Sequence, residues 1–164
     1  MKVKNVKIKK MKKPRIYVDT SVIVGCCDPE FQEWSFKLLS DFQSGTYSLL
    51  LSILTDAEIL EAPEEVKNVY TTFRECATET IEINPEAIEL ADAYLMHKIL
   101  PRNYRNDAIH IALATISVAD LLVSWNFKHV VHFKKIQMFN AVNIEMGYKP
   151  ILIYSPREVT EYGS

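Results

Sequence analysis

The sequence is poor in glycine and cysteine, with four glycines and three cysteines in 164 residues. The glycines form no run, which excludes a Walker-type phosphate loop and a dinucleotide-binding fingerprint. Cys26 and Cys27 are adjacent and Cys76 stands alone, so there is neither a disulfide framework nor a Cys-x-x-Cys zinc pair. No apolar run is long enough for a membrane helix. The longest weakly polar stretch, 109–123, is broken by Asp120 and falls short of the ~20 residues required. The basic N-terminus runs into Pro14, Arg15 and Asp19 rather than an apolar signal core, and the expectation is a cytoplasmic protein without a membrane partner.

What is present is the balance of a globular domain, with 48% hydrophobic and 24% charged residues. The net charge of −2 conceals a split: residues 1–15 hold eight of the 19 basic side chains and no acid. An acidic body therefore follows a short basic arm. We expect an arm over residues 1–14 and a single domain over 15–164.

Beyond the arm, strand-like and helix-like segments alternate. Residues 15–18 are β-branched and aromatic and stop at Asp19-Thr20-Ser21, a turn or cap cluster. Further strands are expected at 47–51, 80–83, 121–124 and 151–154. Helices are expected at 31–42, 55–60, from Pro63, from Asn84 to about 99, at 107–118 and at 134–146. This order predicts a parallel-sheet α/β/α sandwich of about five strands, in which ligands bind beyond the carboxyl ends of the strands.

Polar residues collect where that edge should lie. Asp19 directly follows the first strand, Glu58 follows the second, Asp107 opens the apolar helix, and Asn126 follows the fourth strand. Taken singly, Asp107 reads as a helix cap and Glu58 as a dipole partner. Asp19 is harder to explain that way, because an ionised carboxylate behind a buried strand is costly unless paired or bound to a cation.

The runs Tyr17-Val18-Asp19-Thr20-Ser21-Val22, Leu54-Thr55-Asp56-Ala57-Glu58-Ile59-Leu60, Asn106-Asp107-Ala108-Ile109-His110-Ile111-Ala112 and Leu122-Val123-Ser124-Trp125-Asn126 together resemble the PIN domains. They most resemble the VapC-like toxins of toxin–antitoxin modules, over about residues 15–155. The resemblance implies a metal-dependent endoribonuclease that leaves 5′-phosphate and 3′-hydroxyl ends. It further implies RNA as substrate, an antitoxin as partner, and a homodimer. By the same resemblance Asp19, Glu58 and Asp107 are the catalytic carboxylates around Mg²⁺ or Mn²⁺, Asp19 and Asp107 as metal ligands and Glu58 as ligand or water-positioning base. Asn126 stands where relatives carry an acid and can reach the metal through its carbonyl oxygen or a water. Ser21, at the same strand end, is a candidate supporting donor, and Arg102 and Arg105, just before Asp107, are candidates for phosphate contact or plain exposed loop arginines. Oxygen-only ligation agrees with a hard cation.

Many relatives carry a fourth acid after the fourth strand, directly or three positions past an Asn, where this chain has Asn126 and His129. A second reading therefore stays open: a PIN-like domain, catalytically weak or inactive, that binds nucleic acid or protein. A phosphohydrolase with Asp19 as nucleophile is a third, but position 21 is Ser where such enzymes place a second Asp. Glu61 rivals Glu58, one helical turn away, and His110 reads as a packed structural histidine.

Overall fold

The computed structural model describes residues 12–161. Most of the basic arm, residues 1–11, lies outside them.

Five strands form one sheet: β1 (Arg15–Val18), β2 (Ser48–Ser52), β3 (Ala77–Ile81), β4 (Leu121–Val123) and β5 (Leu152–Tyr154). All neighbours are parallel, in the order β3-β2-β1-β4-β5. The connecting helices are α1 (Thr20–Gly25), α2 (Gln32–Gln43), α3 (Ile53–Ile59), α4 (Glu64–Cys76), α5 (Pro85–Met96), α6 (Arg105–Ile116) and α7 (Phe133–Glu145). A last helix, α8 (Pro156–Glu161), follows β5, and a 3₁₀ turn (Arg102–Tyr104) leads into α6.

The alternation of strand side chains makes the layers. Ile16, Val18, Leu49, Leu51 and Val123 pack with Val22, Leu38, Phe42 and Phe73 of α1, α2 and α4. Tyr17, Leu50, Leu122 and Ile153 pack on the other side with residues of α5, α6 and α7. On that side Ala87, Ala91, Ala108 and Ala112 are fully buried, each pair one helical turn apart, so α5 and α6 can approach closely. The expected sandwich is therefore the observed one, with β1 at its centre. No helix among the described residues is long and apolar enough to cross a membrane.

The two edges of the sheet differ. At the amino edge, the Arg15 guanidinium forks onto Glu79 with two bonds of 2.8 Å and reaches the carbonyls of Ser117 and Val118. Asp120 accepts the Arg15 backbone N–H at 2.7 Å, which places it at the amino edge. The carboxyl edge is where the chain reverses direction across the sheet. From β1 it steps outward to β2 and β3, then returns to the opposite side as β4. Such a switch point leaves a crevice beyond the strand ends.

Helix α1 fixes one wall of that crevice. Its last residue, Gly25, packs so closely on the β4 side that a Cβ would stand 2.6 Å from Trp125 Nε1 and 2.7 Å from Ser35 Oγ. Ser35 Oγ accepts the indole N–H at 2.8 Å and donates to the Val22 carbonyl, so neither neighbour can retreat without losing a bond. Gly25→Ala is expected to cost about 1–3 kcal/mol of stability, read as a lower urea midpoint with an unchanged slope.

Candidate active site

Asp19 caps α1. Its backbone is extended, and Oδ1 accepts the Ser21 N–H at 3.1 Å and the Ser21 hydroxyl at 2.5 Å. Across the switch point, the Ser124 hydroxyl donates to Oδ2 at 2.5 Å. Asp19 is only 3% exposed. Burial pushes its carboxyl above the usual range, opposed by His110 and the two serine bonds and reinforced by the charge of Glu58. Ser21 and Ser124 thus bind β1 to β4 through the carboxylate. Ser21 Oγ also accepts the Trp125 N–H at 2.9 Å, and Ser124 Oγ the Asn126 N–H at 3.0 Å.

Glu58 lies near the end of α3 and turns towards the same edge. Its Oε1 accepts the Thr20 hydroxyl at 3.0 Å and pairs with His110 Nε2 at 2.6 Å. Burial works upward on Glu58, but the bond and charge of His110 and the bond from Thr20 outweigh it and hold the carboxyl below its ordinary value. The rival Glu61 is exposed. Asp56 faces away, bonded to the Tyr70 hydroxyl and paired with Arg74 at 3.2 Å.

Asp107 sits in the first turn of α6. Burial, together with the charges of Asp19 and Glu58, pushes its carboxyl up to about 6. Its Oδ2 accepts the Asn126 amide at 3.1 Å. The orientation of that amide is settled by the backbone, since Asn126 Oδ1 accepts the His129 N–H at 3.0 Å. Asn126 therefore gives its nitrogen to the carboxylate and its carbonyl to the turn that follows β4. Arg102 and Arg105 are exposed just ahead of α6, with Arg105 paired to Asp92 at 3.2 Å.

His110 is the participant that spacing alone did not reveal. It is 2% exposed and bridges two layers, Nε2 to Glu58 and Nδ1 to the Tyr17 hydroxyl at 2.7 Å. Tyr17 in turn bonds Ser52 Oγ at 2.9 Å. The signal was present in the sequence, because residues 107 and 110 share one helix face. The buried tyrosine beneath them belongs to another strand and only the fold reveals it. Thr20 and Ser124 are likewise visible in the motifs, two residues past the end of β1 and one past the end of β4.

Asp19, Glu58 and Asp107 thus lie at one edge and influence one another's charge. Among the described residues, no group of three or more His, Cys, Asp or Glu side chains is close enough together to hold a metal ion. Each carboxylate is held instead by a donor from a neighbouring element.

No family model matches the chain, and no curated protein matches it. Among solved structures, VapBC2 from Rickettsia felis, bound to a DNA fragment from its promoter, is similar. The match has a TM-score of 0.55 and 15% identity and covers 86% of this chain and 98% of that one. The likeness is one of fold: the five-stranded parallel sandwich is PIN-like.

Proposed function

We propose that the chain is a metal-dependent endoribonuclease that hydrolyses RNA phosphodiester bonds and acts as the toxin of a toxin–antitoxin pair. The observation that carries the reading is that Asp19, Glu58 and Asp107 come from three different elements to one edge of the sheet, where burial and the charges of Asp19 and Glu58 push the Asp107 carboxyl up to about 6. A buried carboxyl made costly to ionise by neighbouring carboxylates is a place where a cation is favoured.

The donors suit the proposed cation in kind. Mg²⁺ takes oxygen ligands, uses one or two protein carboxylates and keeps several waters, so it does not require a cage of three side chains. Asp19 and Asp107 would hold Mg²⁺ or Mn²⁺, with Glu58 as a third ligand or through a water. Asn126 would join through its carbonyl only by releasing the His129 N–H. When bound, the ion supplies an activated water and stabilises charge on the leaving oxygen. The remaining work belongs to the chain. Ser21 and Ser124 fix Asp19, Thr20 and His110 fix Glu58, and Arg102 and Arg105 offer positive charge to the phosphates of an approaching strand.

The toxin reading draws on the fold shared with VapBC2 and brings with it an antitoxin partner and a homodimer. Asn126 favours the second reading, a domain that binds without cutting, because it contributes an amide where an acid would add charge. Purified protein with Mg²⁺ or Mn²⁺ is expected to cut RNA internally, leaving 5′-phosphate and 3′-hydroxyl ends, and to stop in EDTA. Intact RNA with both metals, from protein that is folded by circular dichroism, would select the second reading.

A further inference from the structure

Beside the carboxylates, on the far side of Asn126, the carboxyl edge opens into a hollow of about 270 Å³ lined by aromatic rings. Phe31 stacks on Trp125 at 4.3 Å between ring centres and 22° between planes. Phe127 leans towards both, 6.5 Å from Phe31 and 6.0 Å from Trp125, and is 49% exposed. Trp34 closes the back edge-on to Trp125, with the Arg157 guanidinium 4.9 Å above its ring. Glu30 lies on the rim.

We propose that this hollow binds one unpaired nucleobase of the RNA strand, next to the phosphate at the carboxylates. The inference rests on the nuclease reading for its choice of ligand. Its own support is the geometry and charge of the hollow.

Four features point to a base. Aromatic faces left partly open beside a strand path are the common means of holding unpaired bases. The volume lies just below the range of drug-sized ligand sites and suits a single flat ring rather than a helix face. The lining also includes the Glu30 carboxylate, a group of the kind that accepts from exocyclic amines, and the Arg157 guanidinium, held over Trp34.

The fourth feature is charge. From Leu121 to Ile144 the chain carries no acid, while Lys128, Lys134 and Lys135 lie within it. Lys128 is exposed directly after Phe127, where it can meet the backbone of the strand whose base occupies the hollow. Lys128 thus sets a positive charge beside Phe127, on the opposite flank from Glu30 in the sequence. The same short segment after β4 serves both places: Ser124 holds Asp19, Asn126 holds Asp107, and the next residue, Phe127, lines the hollow.

The protein's two tryptophans, Trp34 and Trp125, both line the hollow, so intrinsic fluorescence reports on it directly. The test titrates a short single-stranded RNA, and an abasic strand of the same length, into the full chain in EDTA. The intact strand is expected to quench the fluorescence and to bind about tenfold more tightly than the abasic one. Phe127→Ala should erase that difference, Phe127→Leu should behave like Ala, and Phe127→Tyr should preserve it. Phe127 is half exposed, so these variants should fold.

Equal binding of intact and abasic strands by the wild type overturns the proposal and leaves the hollow to a protein segment. Unchanged discrimination in Phe127→Ala overturns it as well. Because no metal or cleavage enters the readout, the outcome is separate from that of the nuclease assay. Discrimination without cleavage would retain the base site and discard the nuclease, and cleavage without discrimination would do the reverse.

Discussion

Asp19→Asn is expected to reduce RNA cleavage at least about a hundredfold, while the melting temperature stays within a few degrees of the wild type. The two halves have different causes. Catalysis loses the buried carboxylate that directly follows the central strand at the switch point of the sheet. The fold loses little, because an amide can replace the carboxylate bond for bond. Its oxygen, in the place of Oδ1, still accepts the Ser21 N–H and hydroxyl. Its nitrogen, in the place of Oδ2, donates to Ser124 Oγ, whose own hydrogen turns to Ser21 Oγ at 3.3 Å. Asn is also a good helix cap, so α1 keeps its start. The measurements are the cleavage rate and a thermal melt on the same preparation. A folded Asp19→Asn protein that cuts at the wild-type rate would remove Asp19 from the chemistry.

The legibility of the fold followed the length and periodicity of its elements. Strand β1 is read with its true ends because it is β-branched, aromatic and stopped by Asp19. Helix α1 escapes the reading because Thr20–Gly25 has only six residues, and its Val-Ile-Val run resembles a strand. Its helical state comes from the Asp19 cap and from packing on Trp125, which are tertiary facts. Strand β3 is expected at 80–83 and found at Ala77–Ile81. It is an edge strand with a half-buried pattern, and its register is set by β2 rather than by its own sequence.

Helix α8, which is not among the expected helices, carries a start signal in the sequence. Ser155 and Glu158 form a capping box, the Glu158 carboxylate accepting the Ser155 N–H at 2.7 Å and Ser155 Oγ accepting the Glu158 N–H at 3.3 Å. Because α8 carries Arg157 over Trp34, the same capping box helps to set one wall of the aromatic hollow.

The site shows the same division. Glu58 and Glu61 stand one turn apart on the sequence and cannot be ranked there, and the fold separates them by pairing Glu58 with His110 and exposing Glu61. A sequence shows which residues can share a helix face. It does not show what faces them from the next strand. Tyr17 is the example, a strand residue whose hydroxyl holds the far nitrogen of His110.

Asp107→Asn is expected to shift activity and stability in opposite directions, which separates a functional carboxylate from a structural one. In the folded chain Asp107 holds its proton up to about 6, against 3.8 for an ordinary aspartate. Below about 3.8 both folded and unfolded chains carry the proton, and the residue costs nothing. As the pH rises from there to about 6, the unfolded chain releases the proton first. Folding therefore loses stability across that window, and the loss is complete above it.

Asn at position 107 carries no such penalty and can still accept the Asn126 amide. The site is partly open to solvent, so the gain at pH 7 without metal is discounted to about 1 kcal/mol, or roughly 2–4 °C in the melt. That advantage should shrink towards zero as the melts are repeated down to pH 4. Mg²⁺ should then reverse the order, raising the melting temperature of the wild type and leaving that of Asp107→Asn unchanged, since only a ligand-binding native state gains from added ligand. Wild-type cleavage should climb between pH 5 and 7 as Asp107 ionises, and the variant should cut at neither end. If Asp107→Asn melts at or below the wild type in EDTA at pH 7, Asp107 is a satisfied structural carboxylate, and the case for a cation at this edge falls with it.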